Sequence, residues 1–271
     1  METSKAYSPY SIKFVKNILS NNNLWLSKNR GQNYLIDKNI AAKITDSIPV
    51  GSVVFEVGSG LGALTLPLCQ LFKIYSLEID AGVYKALSSL LINPNLTLIH
   101  NDFLKFDFGS IPEDKLFFVS NLPYSISGEA VKNFIANNKF TGGVIMLQEE
   151  FVERMKAEPK TKSYSPLSII CQSFLEMQEL FKVGRDSFFP SPTVDSVVVS
   201  LKKKEADIDQ EGFMSFLRSA FMSKRKTIWN NLKNTLDSET ALTSIGINPK
   251  SRPEEITPDL WIKLSLSINR K

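Results

Sequence analysis

Residues 52–72 read SVVFEVGSGLGALTLPLCQLF, and this stretch decides the fold. Val53 to Val57 is a short apolar run rich in β-branched residues, the composition of a buried strand. It ends in a turn with Gly58, Gly60 and Gly62, and the residues from 62 onward return to a helical pattern. Glycines at this point let the backbone turn tightly and approach a ligand without Cβ clashes. The spacing through Ala63 satisfies a loose G-x-G-x-x-A pattern, which nicotinamide, flavin and S-adenosylmethionine sites share with a plain strand-to-helix turn.

The chain on either side repeats the alternation. "KIYSLEID" is a second strand, "AGVYKALSSLL" a helix, "NLTLIHND" a third strand and "KLFFVSNLPY" a fourth. "SGEAVKNFIAN" is helical, and "GGVIMLQEE" is a fifth strand running into the helical "EFVERMKA". Apolar strands separated by helices form βαβ units and a parallel sheet covered on both faces, with ligand sites outside the carboxyl ends of the strands. "ELFKVGRDSFF" and "VDSVVVSLKKK" read as a terminal pair of strands. From about residue 205 only helical patterns remain: "EGFMSFLRSAFM", "KTIWNNLKN", "ETALTSIG" and "TPDLWIKLSLSI". The expected fold is α/β, a Rossmann-like sheet of seven mostly parallel strands with a small all-helical C-terminal domain. Its expected divisions are an N-terminal extension at 1–27, a catalytic domain at 28–204 and a helical domain at 205–271. The extension, polar and asparagine-rich with scattered apolar residues, is expected to be helical in part; it carries no motif and receives no role.

Composition narrows the chemistry. The chain has 271 residues, 43% hydrophobic and 22% charged, which suits a globular protein. No run is apolar enough to span a bilayer, and residues 1–15 contain no signal-peptide core, so a cytoplasmic protein that makes no membrane contact is expected. Cys69 and Cys171 lie in apolar surroundings and read as reduced core thiols. His100 is the only histidine; a zinc site or a histidine-based triad is not expected, nor is any other metal. The net charge of +4 is modest, but basic residues cluster at "SKNRGQ", "LKKKEAD" and "MSKRKTIWNNLK", the footprint of a phosphate-rich partner.

The strand tips carry the site. Glu56 precedes the glycine turn, where a carboxylate can hold waters or the cationic end of a methionine moiety. Glu78 ends the second strand, 20 residues after Gly58, in position to accept hydrogen bonds from ribose hydroxyls. Asp102 ends the third, able to receive an adenine amine with Phe103 beside the ring. The fourth ends in Asn121-Leu122-Pro123-Tyr124. An asparagine carbonyl accepts from an exocyclic amine, Pro123 stiffens the turn and removes a donor, and Tyr124 offers a stacking face. Two acceptors pulling on the amine hydrogens would pyramidalise the nitrogen and aim its lone pair at a methyl carbon. This suits methylation of a nucleobase amine, which needs positioning and charge stabilisation.

In order along the chain stand "RGQNYLID", "FEVGSGLGALT", "LEID", "ND", "NLPYSIS", "MLQEEFVERM", "YSPLSII", "FFPSPTVDSVV" and "KRKTIWNNLK". This ordered set resembles the KsgA/RsmA–Dim type of ribosomal RNA adenine N6,N6-dimethyltransferase, from about residue 28 to 235. The resemblance implies S-adenosylmethionine contacts from Asn33, Leu35, Gly58, Glu78, Asp102 and Asn121. It implies that Asn121 and the Leu122 carbonyl hold the target amine, that Tyr124 stacks on the adenine, and that Phe188 covers the other face of a base flipped from its stack. On the residues alone, core packing is the competing reading for Phe188, with Phe189 at the next position. The implied substrate is two adjacent adenosines in a hairpin loop near the 3′ end of small-subunit ribosomal RNA, met by a monomer within a pre-ribosomal 30S-type particle. Lys28, Arg30, Lys224, Arg225 and Lys226 are candidate phosphate contacts. The sequence departs from the family at Tyr34 for phenylalanine, Ser59 for proline, Ser165 for glycine and Thr193 for lysine. The competing readings are an Erm-type large-subunit RNA methyltransferase, a DNA adenine methyltransferase, and a ribosome-assembly factor that kept the fold without activity.

Overall fold

The computed structural model describes residues 8–25, 32–205, 208–223, 225–235 and 239–268, and of Tyr124 the backbone alone. The chain opens with α1 (Ile12–Asn21), begun by the Ser11 hydroxyl accepting from the Phe14 amide. β1 (Tyr34–Leu35) and α2 (Lys38–Asp46) follow, the latter capped by the Asp37 carboxylate. Next come β2 (Val53–Val57), α3 (Thr65–Leu71), β3 (Lys73–Glu78), α4 (Ala81–Leu90), β4 (Leu96–His100), β5 (Leu116–Asn121), α5 (Ser127–Ala136) and β6 (Phe140–Gln148). After them stand α6 (Glu149–Lys156), α7 (Pro166–Phe174), β7 (Leu175–Val183), β8 (Phe188–Phe189) and β9 (Ser196–Lys203). The chain closes with α8 (Gln210–Ala220), α9 (Ile228–Leu232), α10 (Thr240–Thr243) and α11 (Pro258–Ile268).

Seven strands form one sheet in the order β4-β3-β2-β5-β6-β9-β7. The pairs β4/β3, β3/β2, β2/β5 and β5/β6 are parallel and β6/β9 is antiparallel, so the expected mostly parallel sheet is borne out. β2 lies between β3 and β5, and the strand order reverses there. At this switch the connection from β2 runs to β3 on one side and that from β5 to β6 on the other, which opens a crevice at the carboxyl ends of β2 and β5. Alternation along the strands sends Val54, Ile74, Val119, Val144, Met146 and Val198 into one buried layer. Neighbours on the opposite parity, Phe55 and Phe118, meet Phe140 at ring-centroid distances of 5.7 and 5.1 Å. Both faces are covered, as a parallel sheet requires.

Two elements differ from the sequence reading. The stretch 179–189 is not one strand: β7 ends at Val183, Gly184 and a short 3-10 turn intervene, and Phe188–Phe189 pairs antiparallel with Tyr34–Leu35 in a separate ribbon. α7 was not anticipated. Leu167, Ile169, Ile170, Cys171 and Phe174 are all buried, and an apolar run this short reads equally as a buried strand or a buried helix. The partly helical reading of the N-terminal stretch is borne out by α1.

The chain divides into two compact units, one of residues 1–149 with 177–202 and one of residues 150–176 with 203–271. This differs from the expected 28–204 and 205–271 at residues 150–176, which group with the C-terminal helices. In that unit the Phe174 ring meets Phe213 edge-on at 5.6 Å, and the Tyr164 hydroxyl donates to the Ile256 carbonyl at 2.7 Å. Residues 8–25 likewise belong to the unit that carries the sheet. No helix among the described residues is long and apolar enough to cross a membrane.

Candidate active site

At the carboxyl end of β2 lies a cavity of about 230 Å³, bordered by the glycine turn and the tips of β3, β4 and β5. Gly58, Gly60 and Gly62 have φ of +80°, +52° and +80°, the left-handed region in which side chains are strained. A Cβ on Gly58 would stand in open space, while one on Gly60 would come within 3.3 Å of the Tyr34 ring. The turn is therefore a bare backbone cradle roofed by Tyr34. The Gly58 and Ser59 amides donate to the Leu77 carbonyl at 2.8 and 3.0 Å and pin the cradle to β3.

Two carboxylates lie under it. Glu56 is buried, and its Oε2 accepts from the Thr65 hydroxyl at 2.7 Å and from the Ser76 hydroxyl. Burial pushes its carboxyl up to about 7, the nearby Glu78 charge adding and the two hydroxyls opposing. Glu78 Oε2 accepts from the Gly60 amide at 2.8 Å, and Oε1 accepts from the Asp80 amide at 2.9 Å. Burial raises Glu78 as well, against the pull of those backbone donors. Glu78 thus locks the glycine turn to the β3 tip while keeping lone pairs for further donors. That bond leaves no signature in the spacing of the residues.

Asp102 borders the cavity with Oδ1 accepting from the Leu104 amide at 3.0 Å, which closes the turn after β4. The ring of Phe103 also borders it and is backed by Phe118 at 5.5 Å. Asn121, half-buried at the end of β5, donates through Nδ2 to the Asn33 carbonyl at 3.2 Å. That bond leaves the Asn121 amide oxygen as the acceptor. The Leu122 amide donates to the Met146 carbonyl at 3.2 Å, and the Pro123 carbonyl accepts from the Ile126 amide at 3.1 Å, so both ends of the turn are held.

One cavity wall thus gathers Asn33, Leu35, Gly58, Glu78, Asp102, Asn121, Leu122 and Pro123. Phe188 is not among them. It pairs with Leu35 and is buried in the core with Ile44 and Val183, and strand alternation turns Phe189, half-buried, to the other side. The expected cover for a flipped base is thus a core side chain in this geometry. Lys28, Arg30, Lys224 and the Tyr124 side chain lie outside the described residues. Sequence reasoning missed Pro9, Ile79 and Ile126, which border the cavity without any motif to mark them.

The strand order, the glycine cradle and acidic tips around one cavity place the molecule among class I methyltransferases. Two solved structures share the architecture. A dimethyladenosine transferase from Plasmodium falciparum superposes with a TM-score of 0.74 at 27% identity, covering 86% of this chain and 96% of that one. The 23S rRNA methyltransferase ErmE, at 24% identity and a TM-score of 0.65, shares the fold across 87% of this chain and 99% of its own. Residues 25–270 match the profile of the ribosomal RNA adenine dimethylase family, and the chain belongs to that family. It is similar to ribosomal RNA small subunit methyltransferase A of Mycoplasmoides gallisepticum, 34% identical over 269 residues, covering 96% of this chain and 99% of the relative. The protein of that description from Malacoplasma penetrans is 36% identical over 262 residues, covering 93% and 95%. The chain is an rRNA methyltransferase, and S-adenosylmethionine is its methyl donor.

Proposed function

We propose that this enzyme dimethylates N6 of two adjacent adenosines in a hairpin loop near the 3′ end of small-subunit ribosomal RNA, acting as a monomer on a pre-ribosomal particle. The observation that carries the reading is Asn121. Its amide is oriented by the Asn33 carbonyl and stands at the tip of β5, on the cavity whose other tips offer Glu78 and Asp102.

The residues present fit the donor. The bare cradle at Gly58 admits a chain close to the backbone, Glu78 presents carboxylate oxygens to ribose hydroxyls, and Asp102 faces the position of an adenine amine. Glu56 supplies buried negative charge near the cationic end. Bound S-adenosylmethionine supplies an electrophilic methyl group. The chain's part is to hold the acceptor. The Asn121 side-chain oxygen and the Leu122 carbonyl accept the two amine hydrogens and turn the nitrogen lone pair out of conjugation, while Pro123 keeps the two acceptors at fixed separation. Tyr124 serves as the stacking face for the flipped base. Arg225 and Lys226, among the candidate phosphate contacts, supply salt-dependent grip without sequence choice.

The test is incubation with labelled S-adenosylmethionine and under-methylated small subunits, followed by digestion of the RNA. Dimethyladenosine near the 3′ end is expected, and label confined to large-subunit RNA would refute the target. Replacing Asn121→Ala should reduce transfer by at least about 100-fold, the scale of losing one oriented transition-state contact, with RNA binding kept. Turnover that survived this change would remove Asn121 from the mechanism.

A further inference from the structure

Residues 8–25 carry no motif, yet one of them borders the cavity and others bond to or pack on residues that line it. Pro9 is buried and borders the cavity directly. Beside it, the Tyr10 hydroxyl donates to the Ala63 carbonyl at 2.9 Å, a bond across 53 residues of sequence. Ala63 belongs to the segment that carries the glycine turn into α3, and it borders the cavity too. The Tyr10 ring packs against the core layer of the sheet. Burial and the Glu56 charge push its phenol up to about 12, so it remains a donor at any working pH. Further along the arm, Val15 and Leu19 are buried in one cluster with Tyr34, Leu61 and Val83. Leu61 lies in the glycine turn, Tyr34 roofs Gly60, and Val83 opens α4 just beyond Glu78. The arm is therefore joined to the cradle, its roof and the β3 exit.

We propose that residues 9–19 form a wall of the cofactor site, and that Tyr10 is a positioning residue whose bond to Ala63 holds Pro9 on the cavity and fixes the exit of the glycine turn. This rests on the assignment of the cavity to S-adenosylmethionine. The Tyr10 bond adds to the burial of Val15 and Leu19 in holding the arm, which can loosen at its Pro9 end without unfolding the sheet. Losing that bond would shift the arm toward open states and lower apparent affinity by the fraction still closed.

The experiment is Tyr10→Phe in the full chain, which keeps the ring and removes the donor. Binding of S-adenosylhomocysteine is measured by calorimetry, together with the Tm of the unliganded protein and the steady-state constants on under-methylated small subunits. The Kd should rise about 2- to 10-fold, the range expected from one net hydrogen bond. KM for S-adenosylmethionine should rise with it, kcat should stay within about twofold, and Tm should fall by no more than about 3 °C. Amide exchange should quicken in residues 12–21 and 58–66 and nowhere else in the sheet unit. A Kd within about twofold of the unaltered protein overturns the proposal whatever happens to Tm. So does a larger rise accompanied by a greater loss of Tm and a fall in kcat, because that pattern is general damage. Failure of the unaltered protein to bind S-adenosylhomocysteine would instead overturn the assignment of the cavity itself.

Discussion

Glu56→Gln should make the unliganded protein more stable as the pH rises. The Glu56 carboxyl sits 1% exposed beneath the glycine cradle and is raised from an ordinary 4.5 to about 7, chiefly by burial. An acid whose folded value is raised binds its proton more tightly folded than unfolded. Folding stability is therefore fully present below about 4.5 and is lost as the pH climbs through 7. At roughly 1.4 kcal/mol for each tenfold change in proton affinity the whole loss is about 3 kcal/mol, and about 2.5 kcal/mol of it falls between pH 5 and pH 8. Glutamine keeps an oxygen for the Thr65 and Ser76 hydroxyls but cannot ionise. The stability of the variant relative to the unaltered protein should thus grow by about 2.5 kcal/mol over that range, whatever fixed offset the new amide introduces. At about 2–4 °C per kcal/mol, thermal melts at pH 5 and pH 8 should show the difference in Tm moving by roughly 5–10 °C. The gain is bought with function, because the ionised carboxylate is what a cationic ligand end would select. Calorimetry should find S-adenosylmethionine affinity rising with pH between 5 and 7 in the unaltered protein and flat in the variant. A difference in Tm that stayed constant with pH, or that moved against the variant as pH rose, would refute the reasoning.

Two further outcomes follow from single contacts. Gly60→Ala forces a side chain into φ +52° and sets a Cβ 3.3 Å from the Tyr34 ring, beside an amide that donates to Glu78. A left-handed residue costs about 1–2 kcal/mol of folding stability, so Tm should fall by roughly 2–8 °C; an unchanged Tm would show that the turn tolerates the strain. Tyr164→Phe removes the donor to the Ile256 carbonyl within the helical unit and should lower Tm by roughly 2–6 °C, from about 1–2 kcal/mol, with S-adenosylhomocysteine affinity unaltered. A change in that affinity would contradict the confinement of the site to the unit that carries the sheet.

Much of the sheet unit was legible because its strands are short apolar runs closed by turn residues, and each run had to end where βαβ geometry puts ligands. That logic alone leads to Gly58, Glu78, Asp102 and Asn121, which border one cavity. What failed to show depended on partners distant in sequence. The ribbon of β1 and β8 is two residues a side, and only pairing across about 150 residues makes it a strand. That same register decides that Phe188 points inward and Phe189 outward, a parity no local pattern encodes. α7 hid because a short, largely apolar run does not distinguish a buried helix from a buried strand. The contribution of Tyr10 hid because a tyrosine's hydroxyl bond to a carbonyl 53 residues on leaves no spacing to recognise.

The helical unit is made from two stretches, 150–176 and 203–271, with β7, β8 and most of β9 between them. A stop codon after residue 204 would therefore not release a smaller enzyme. It would leave α7 synthesised, with Phe174 lacking Phe213 and Tyr164 lacking Ile256. Nascent chains cut short in this way would present an uncovered apolar helix to proteases and to one another. Grafting the helical unit of one relative onto the sheet of another likewise needs three crossovers in the gene, near codons 150, 177 and 203. A single fusion joint would bring in α8 and α11 without the α7 that belongs with them.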